Sequence, residues 1–386
     1  MHTPKIYRCS RWLEPLGPAQ PTLPDLMTVA RLPALASFRL IDILKVIAAQ
    51  CIVLHHFSAY GPLSEAASSA LPEVFEWLYD NARIAVQVFL VIAGYLAARS
   101  FALTKRPASS VFSAIWQRYQ RLALPFVAAL LLTVVCAAIA RPYLSAEVVP
   151  AAPTLPQLLA HASLLHSVLD VESLSAGVWY VAIDFQLYAT LALVLWLGGG
   201  KRWLSLALVA LLCAASLTWF NADADWDIWS VYFFGAYGLG ALAWWAGLRA
   251  RHGWYAVALY ATALSVGLAS LAINFRERIA LAISVSALLA SFGTWQLRLP
   301  RWLDAAVSLL SRTSYALFLV HYGVLLLANA AWAEIGSDDG DAALLFMAAS
   351  WLVALGTSHL FHTQVEQRIA LWRSAPGSGV APQSAK

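Results

Sequence analysis

From Phe38 onward the chain alternates long apolar runs with short polar breaks. Ten of the runs reach the length of a membrane helix: about 38–58, 82–102, 120–140, 178–197, 202–220, 228–247, 253–273, 277–296, 311–332 and 342–362. A helix rises about 1.5 Å per residue, so roughly 20 apolar residues cross a hydrocarbon core about 30 Å thick. Gly, Pro, Asn and charged residues fill the breaks, the punctuation expected between spans. The pattern predicts an all-α polytopic membrane protein of about ten transmembrane helices, with 38–372 as its one domain. Residues 1–37, interrupted by Pro4, Pro15, Pro18, Pro21, Pro24 and Pro33, contain no apolar run of signal-peptide length. They read as a flexible tail, as do 373–386, and Met27 is an alternative start.

Composition agrees with the pattern. Hydrophobic residues make up 61% and charged residues 12% of the 386, and the mean hydropathy is +0.67; soluble domains hold about half apolar and a quarter charged residues. The net charge of +4 conceals an asymmetry. Of the 25 Lys and Arg, all but Lys45, Arg83, Arg141, Arg276 and Arg278 fall in the tails and the even-numbered loops or at their margins. Acids such as Glu65, Glu73, Glu76, Asp80, Asp223, Asp225 and Asp227 crowd the alternate loops. By the positive-inside rule both termini are cytoplasmic. The basic residues thus read as topology signals, and nothing in them indicates a nucleic-acid partner. Cys9, Cys51, Cys136 and Cys213 lack metal-ligand or disulfide-framework spacing and read as unpaired.

The first run, FRLIDILKVIAAQCIVLHHFSAY, carries Asp42, Lys45, His55 and His56 inside a span. Each ionisable group at the centre of a membrane helix costs about 2.5–3.5 kcal/mol on insertion scales, so four of them mark a functional helix by default. Eleven residues close three helical turns to within roughly 20°, which puts Lys45 and His56 on one face with Asp42 nearby and His55 about a quarter-turn away. A neutral imidazole can take the proton of an attacking hydroxyl at working pH. The competing reading is that Lys45 snorkels and His56 sits in the outer interface.

Further candidates lie downstream. Arg118 and Arg121, one turn apart in RYQRLALPF, are placed at the cytoplasmic mouth, either as a clamp for phosphate or as topology charges alone. Asp184, in WYVAIDFQLY, is expected near the depth of His56 with Tyr188 one turn on, and a His56–Asp184 contact would orient the imidazole. His321, in SYALFLVH, lies near mid-membrane, as a helix–helix hydrogen-bonding residue or as part of a site. The long loop at about 141–177 is amphipathic around Leu155–Leu169 and reads as a short helix, serving as a lid or as a connector. Outer aromatics such as Trp77, Trp226 and Trp229 suit the aromatic belt and also suit sugar stacking. No His-x-x-Glu-His or Cys/His set is present, so no catalytic metal is expected.

Taken in order, RLIDILK ending at Lys45, His56, VFLVIAGYL, RYQRLALP, WYVAIDFQLY and SYALFLVH resemble the motifs of the acyltransferase 3 family of integral membrane acyltransferases, over roughly Phe38 to Trp372. Three positions differ from the family's usual residues: Lys45 stands for arginine, Asp184 for glutamate and Ala93 for serine. The resemblance implies transfer of an acyl group, often acetyl, from a cytoplasmic acyl-CoA to a hydroxyl of a carbohydrate, glycolipid or other cell-envelope acceptor at the bacterial inner membrane. On that reading His56 is the base, Asp184 orients it, Lys45, Arg118 and Arg121 hold the donor, Asp42, Tyr188 and His321 line the cavity, and acyl-CoA, acetyl-CoA by expectation, is the co-substrate without a metal. The alternative is a proton-coupled secondary transporter or exporter, in which Lys45, His56 and Asp184 form a relay.

Overall fold

The computed structural model describes residues 38–103, 110–247 and 249–374, and every regular element among them is helical. The tail predicted at 1–37, and all but two residues of that at 373–386, lie outside the described residues. In chain order the first seven helices are α1 (Arg39–Ala59), α2 (Pro62–Ser68), α3 (Pro72–Asn81), α4 (Val86–Leu103), α5 (Val111–Ala140), α6 (Leu155–Ala162) and α7 (Val178–Leu197). There follow α8 (Arg202–Thr218), α9 (Ser230–Gly247), α10 (Arg249–Ile273, broken at Gly253), α11 (Glu277–Phe292), α12 (Arg301–Ile335), α13 (Gly340–Phe361) and α14 (Gln367–Ser374).

Each of the ten apolar runs forms a helix, and eight candidate spans among the described residues are long and apolar enough to cross a membrane. The other two runs are α9 and α11. Only 16 residues make up α11, and α9 is diluted by Gly235, Gly238, Gly240, Tyr237, Trp244 and Trp245. The reason is visible in its surroundings: every residue from Tyr232 to Ala246 is buried. A helix enclosed by protein needs close packing more than lipophilicity. At the crossing of α4 and α9, a Cβ on Gly94 would lie 1.9 Å from the Tyr237 carbonyl oxygen, and one on Gly240 would lie 1.9 Å from that of Val91. These reciprocal glycines let the two backbones touch.

Two helices begin earlier than the apolar pattern indicates. Opening turns that mix apolar with polar residues, Ser113, Gln117 and Arg118 in α5 and Arg301, Asp304 and Ser308 in α12, extend α5 back to Val111 and α12 back to Arg301. Both extensions matter for the site, since they carry Arg118 into a helix and set α12 beside the start of α1.

Helices α1 and α12 run parallel and in step. Arg39 bonds Ser308 and Asp304 at 2.6 Å each, Ser311 donates to Asp42 at 2.7 Å, and Lys45 Nζ donates to the Ser311 carbonyl at 2.9 Å. Further along, His56 meets His321. Lys45 and His56 therefore do share one face, and that face is turned to α12; His55, off it, bonds the Leu78 carbonyl of α3 at 3.1 Å.

The segment between α5 and α7 contains the expected short helix, α6, opened by a capping box between Thr154 and Gln157. It returns along α5 instead of capping its end. The Tyr119 hydroxyl donates to the Ala162 carbonyl at 2.8 Å, and Tyr119 lies 21 residues, about 30 Å of helix, before Ala140. Leu155, Leu159, Leu165 and Leu169 face outward, while His161 and His166 are buried and stacked with ring centroids 4.4 Å apart.

Candidate active site

Two groups of polar side chains lie along α1. The first is built on His56. Its Nδ1 is 2.6 Å from Nε2 of His321, and the Nδ1 of His321 is 3.0 Å from the Leu317 carbonyl oxygen. A carbonyl can only accept, so His321 donates from Nδ1 and its Nε2 carries a lone pair. His56 must then donate from Nδ1 to that lone pair, which leaves its own Nε2 unprotonated. One backbone carbonyl thus fixes two tautomers in succession.

Beside His56 opens a cavity of about 460 Å³, lined on one side by Ile52, His55, His56, Tyr60, Arg83 and Val86 and on the other by Ser173, Ser175, Ala176, Gly177, Trp179, Tyr180, Phe318 and Tyr322. The segment between α5 and α7 therefore forms a wall of the cavity and is more than a connector. Gly177, with φ of 76°, ends it in the left-handed region. A Cβ there would press on the Phe318 ring at 3.2 Å and approach His56 Cε1 at 3.6 Å, so glycine both makes the turn and keeps room beside the imidazole.

The second group is cationic and lies further down the bundle, about 16 Å along α1 from His56 to Lys45. Arg118 Nη2 donates to Asp184 Oδ2 at 2.5 Å, its guanidinium lies over the Tyr188 ring at 5.3 Å, and its Nε is buried without a hydrogen-bond partner. Arg121 is exposed and lies within electrostatic reach of Arg118, Arg373, Asp184 and Tyr188. Lys45 is within reach of Arg121, Asp42 and Glu366. Glu366 belongs to a π-helical turn, His362–Glu366, and accepts from His362 at 2.6 Å. Such turns widen a helix and re-aim its side chains.

These positions correct three expectations. The His56–Asp184 contact is absent: His321 occupies the His56 Nδ1, and Asp184 is paired with Arg118. Asp184 is seven residues, about 10 Å, below Gly177 on α7, and so deeper than His56. Arg118 and Arg121 lie within a helix and not at the end of a loop, since α5 starts two turns before Arg118. Asp42, Tyr188 and His321 are absent from the lining of the cavity, where Arg83, Tyr60, Tyr180 and Tyr322 stand instead. The residues that sequence reasoning missed come from the end of α1, the turn before α4, the segment leading into α7, the start of α7 and, with Tyr322, from α12. Gly177, two residues before the Trp179–Tyr180 pair, is the one local signal for that region.

Among the described residues no three His, Cys, Asp or Glu side chains converge to hold a metal ion. The family described as an acyltransferase domain matches residues 38–360. Comparison with curated proteins and with solved structures yields no match.

Proposed function

Because the chain belongs to the acyltransferase 3 family, a membrane acyltransferase activity is the premise, and we propose that it moves an acyl group, acetyl by preference, from acyl-CoA to a hydroxyl of a carbohydrate or lipid-linked acceptor. One observation carries this reading: His56 presents an unprotonated Nε2 in a tautomer fixed by His321, beside a cavity large enough for a sugar. The acceptor occupies that cavity, its hydroxyl within reach of Nε2.

The donor enters at the Lys45 end. Lys45, Arg118 and Arg121 offer cationic donors to its phosphates, and the buried, unpartnered Nε of Arg118 fits an incoming acceptor oxygen. The 16 Å between Lys45 and His56 is the path of the pantetheine arm. His56 takes the hydroxyl proton as the oxygen attacks the thioester carbonyl. The C–S bond then breaks, and the imidazolium returns the proton to the departing thiolate. Asp184 acts on Arg118, not on His56: it holds the guanidinium against Tyr188 and balances its charge.

With the charge distribution of the loops, the Lys45 end is cytoplasmic and the cavity opens outward, which suits an acceptor of the cell envelope at a bacterial inner membrane. The test is transfer in proteoliposomes. Radiolabelled acetyl-CoA added to protein oriented with its Lys45 end outward is expected to yield labelled acceptor together with stoichiometric free thiol. Intact acetyl-CoA or acceptor accumulating in the lumen, driven by a proton gradient and without thiol release, would instead support the transporter.

A further inference from the structure

Four arginines lie at the end of the bundle where the acidic loops gather: Arg83, Arg141, Arg276 and Arg278. Three of them are tied into the fold. Arg141 donates to the Pro150 carbonyl at 3.1 Å. Arg276 is spent on the Leu217 carbonyl, Ser270 and Asn221 at 2.6 to 3.1 Å. Arg278 donates to the Asn221 carbonyl at 3.1 Å and stacks over Tyr232 at 4.9 Å. Arg83 makes no hydrogen bond or ion pair among the described residues, although Asp80 is three residues away, and it lines the His56 cavity.

Arg83 is the one Lys or Arg on that wall, and no Asp or Glu lines the cavity to neutralise it. It stands close enough to His55 to act on it electrostatically, and His55 is next to the base, their rings 5.3 Å apart. Tyr60, Trp179, Tyr180 and Tyr322 with Ser173 and Ser175 give that wall flat faces and hydroxyls suited to a polyhydroxylated ring, and Ile52, Val86 and Phe318 complete it with apolar surface. An uncommitted guanidinium in such a wall is a two-pronged donor for a carboxylate or phosphate.

We infer that the acceptor carries an anion beside its hydroxyls, as a sugar acid or a sugar phosphate does, and that Arg83 reads that anion and so sets acceptor specificity. The inference rests on the acyltransferase reading only for the identity of the cavity as the acceptor site. Arg83 does not take part in the proton transfer; it fixes which end of the ring points away from His56.

Binding measured by calorimetry on the purified full chain tests this independently of turnover. The probes are methyl glucuronide, glucose 6-phosphate and the neutral methyl glucoside, each titrated into wild type, Arg83→Gln and Arg83→Lys. At least one anionic probe is expected to bind about 10- to 100-fold more tightly than methyl glucoside, the worth of hydrogen bonds to a charged group. That margin should collapse in Arg83→Gln and persist in part in Arg83→Lys, and whichever anion keeps it distinguishes carboxylate from phosphate. Equal binding of all three probes, binding of none, or a margin that survives in Arg83→Gln overturns the inference. Thiol release from acetyl-CoA by the same wild-type sample reports separately on the acyltransferase reading.

Discussion

The His56 Nδ1 lies 2.6 Å from the His321 Nε2, and no carboxylate stands behind the pair: its far end is the Leu317 carbonyl. His321 is therefore an acceptor that orients the base. A side chain that can accept at the same point should preserve that role. His321→Gln is expected to keep a measurable fraction of acyl transfer, while His321→Leu, of similar bulk and without an acceptor, falls by about 10²-fold or more. Comparing kcat and KM for the two variants checks it: the loss should appear in kcat. Equal losses in both would mean that His321 acts by packing alone.

The Arg118–Asp184 pair is almost enclosed, with side-chain exposures of 23% and 5%. Removing one partner strands a buried charge, at a cost of about 3–5 kcal/mol. Asp184→Asn is expected to lower thermal stability in detergent and to raise KM for acyl-CoA. The double change Asp184→Asn with Arg118→Met should recover stability without recovering donor binding. If Asp184→Asn alone left both stability and KM unchanged, the role given to the pair would be wrong.

At the α4–α9 crossing the backbones meet through Gly94 and Gly240. Gly94→Val puts a branched side chain where even a Cβ lies 1.9 Å from the Tyr237 carbonyl oxygen. Loss of monodisperse folded protein is the expected outcome, read by size exclusion. Gly336→Ala, at a position with nothing within 4 Å of the added Cβ, is expected to cost only the strain of its φ of 65°.

Burial, and next to it the stacked His161, lowers the His166 pKa to about 4. The folded value lies below the ordinary one of about 6.5, so the stability that a neutral His166 gives the segment between α5 and α7 is complete above that value and is lost as pH falls towards 4. Hydrogen exchange across 155–175, corrected for intrinsic rates, should rise between pH 6.5 and 4, and His166→Phe should flatten the rise. Because this segment walls the cavity, activity should fall in the same window.

Much of this was legible in the sequence. Apolar run length located all ten long helices, and eleven-residue phasing put Lys45 and His56 on one face, because both depend on local geometry alone. Depth was harder to read. Polar residues scattered through the opening turns, such as Gln117 and Arg118 in α5 and Asp304 and Ser308 in α12, mask the true starts of both helices, so Arg118 reads as the end of a loop. Asp184 was assigned to His56 because carboxylate and imidazole suit one another, but pairing is decided by which helices touch and at what height, and at its height α7 meets Arg118. Arg83 reads in the sequence as one more charge beside an outer loop, and only the tertiary fold brings it to the cavity that Tyr60, Tyr180 and Tyr322 also line.

The central claim is that His56, and not its neighbour, is the base. Purified wild type, His56→Ala and His55→Ala, matched for folded yield, are to be compared in thiol release from acetyl-CoA with acceptor present. The account predicts a loss of about 10²- to 10⁴-fold for His56→Ala and a far smaller change for His55→Ala. Equal rates in wild type and His56→Ala, or equal losses at the two positions, would contradict it.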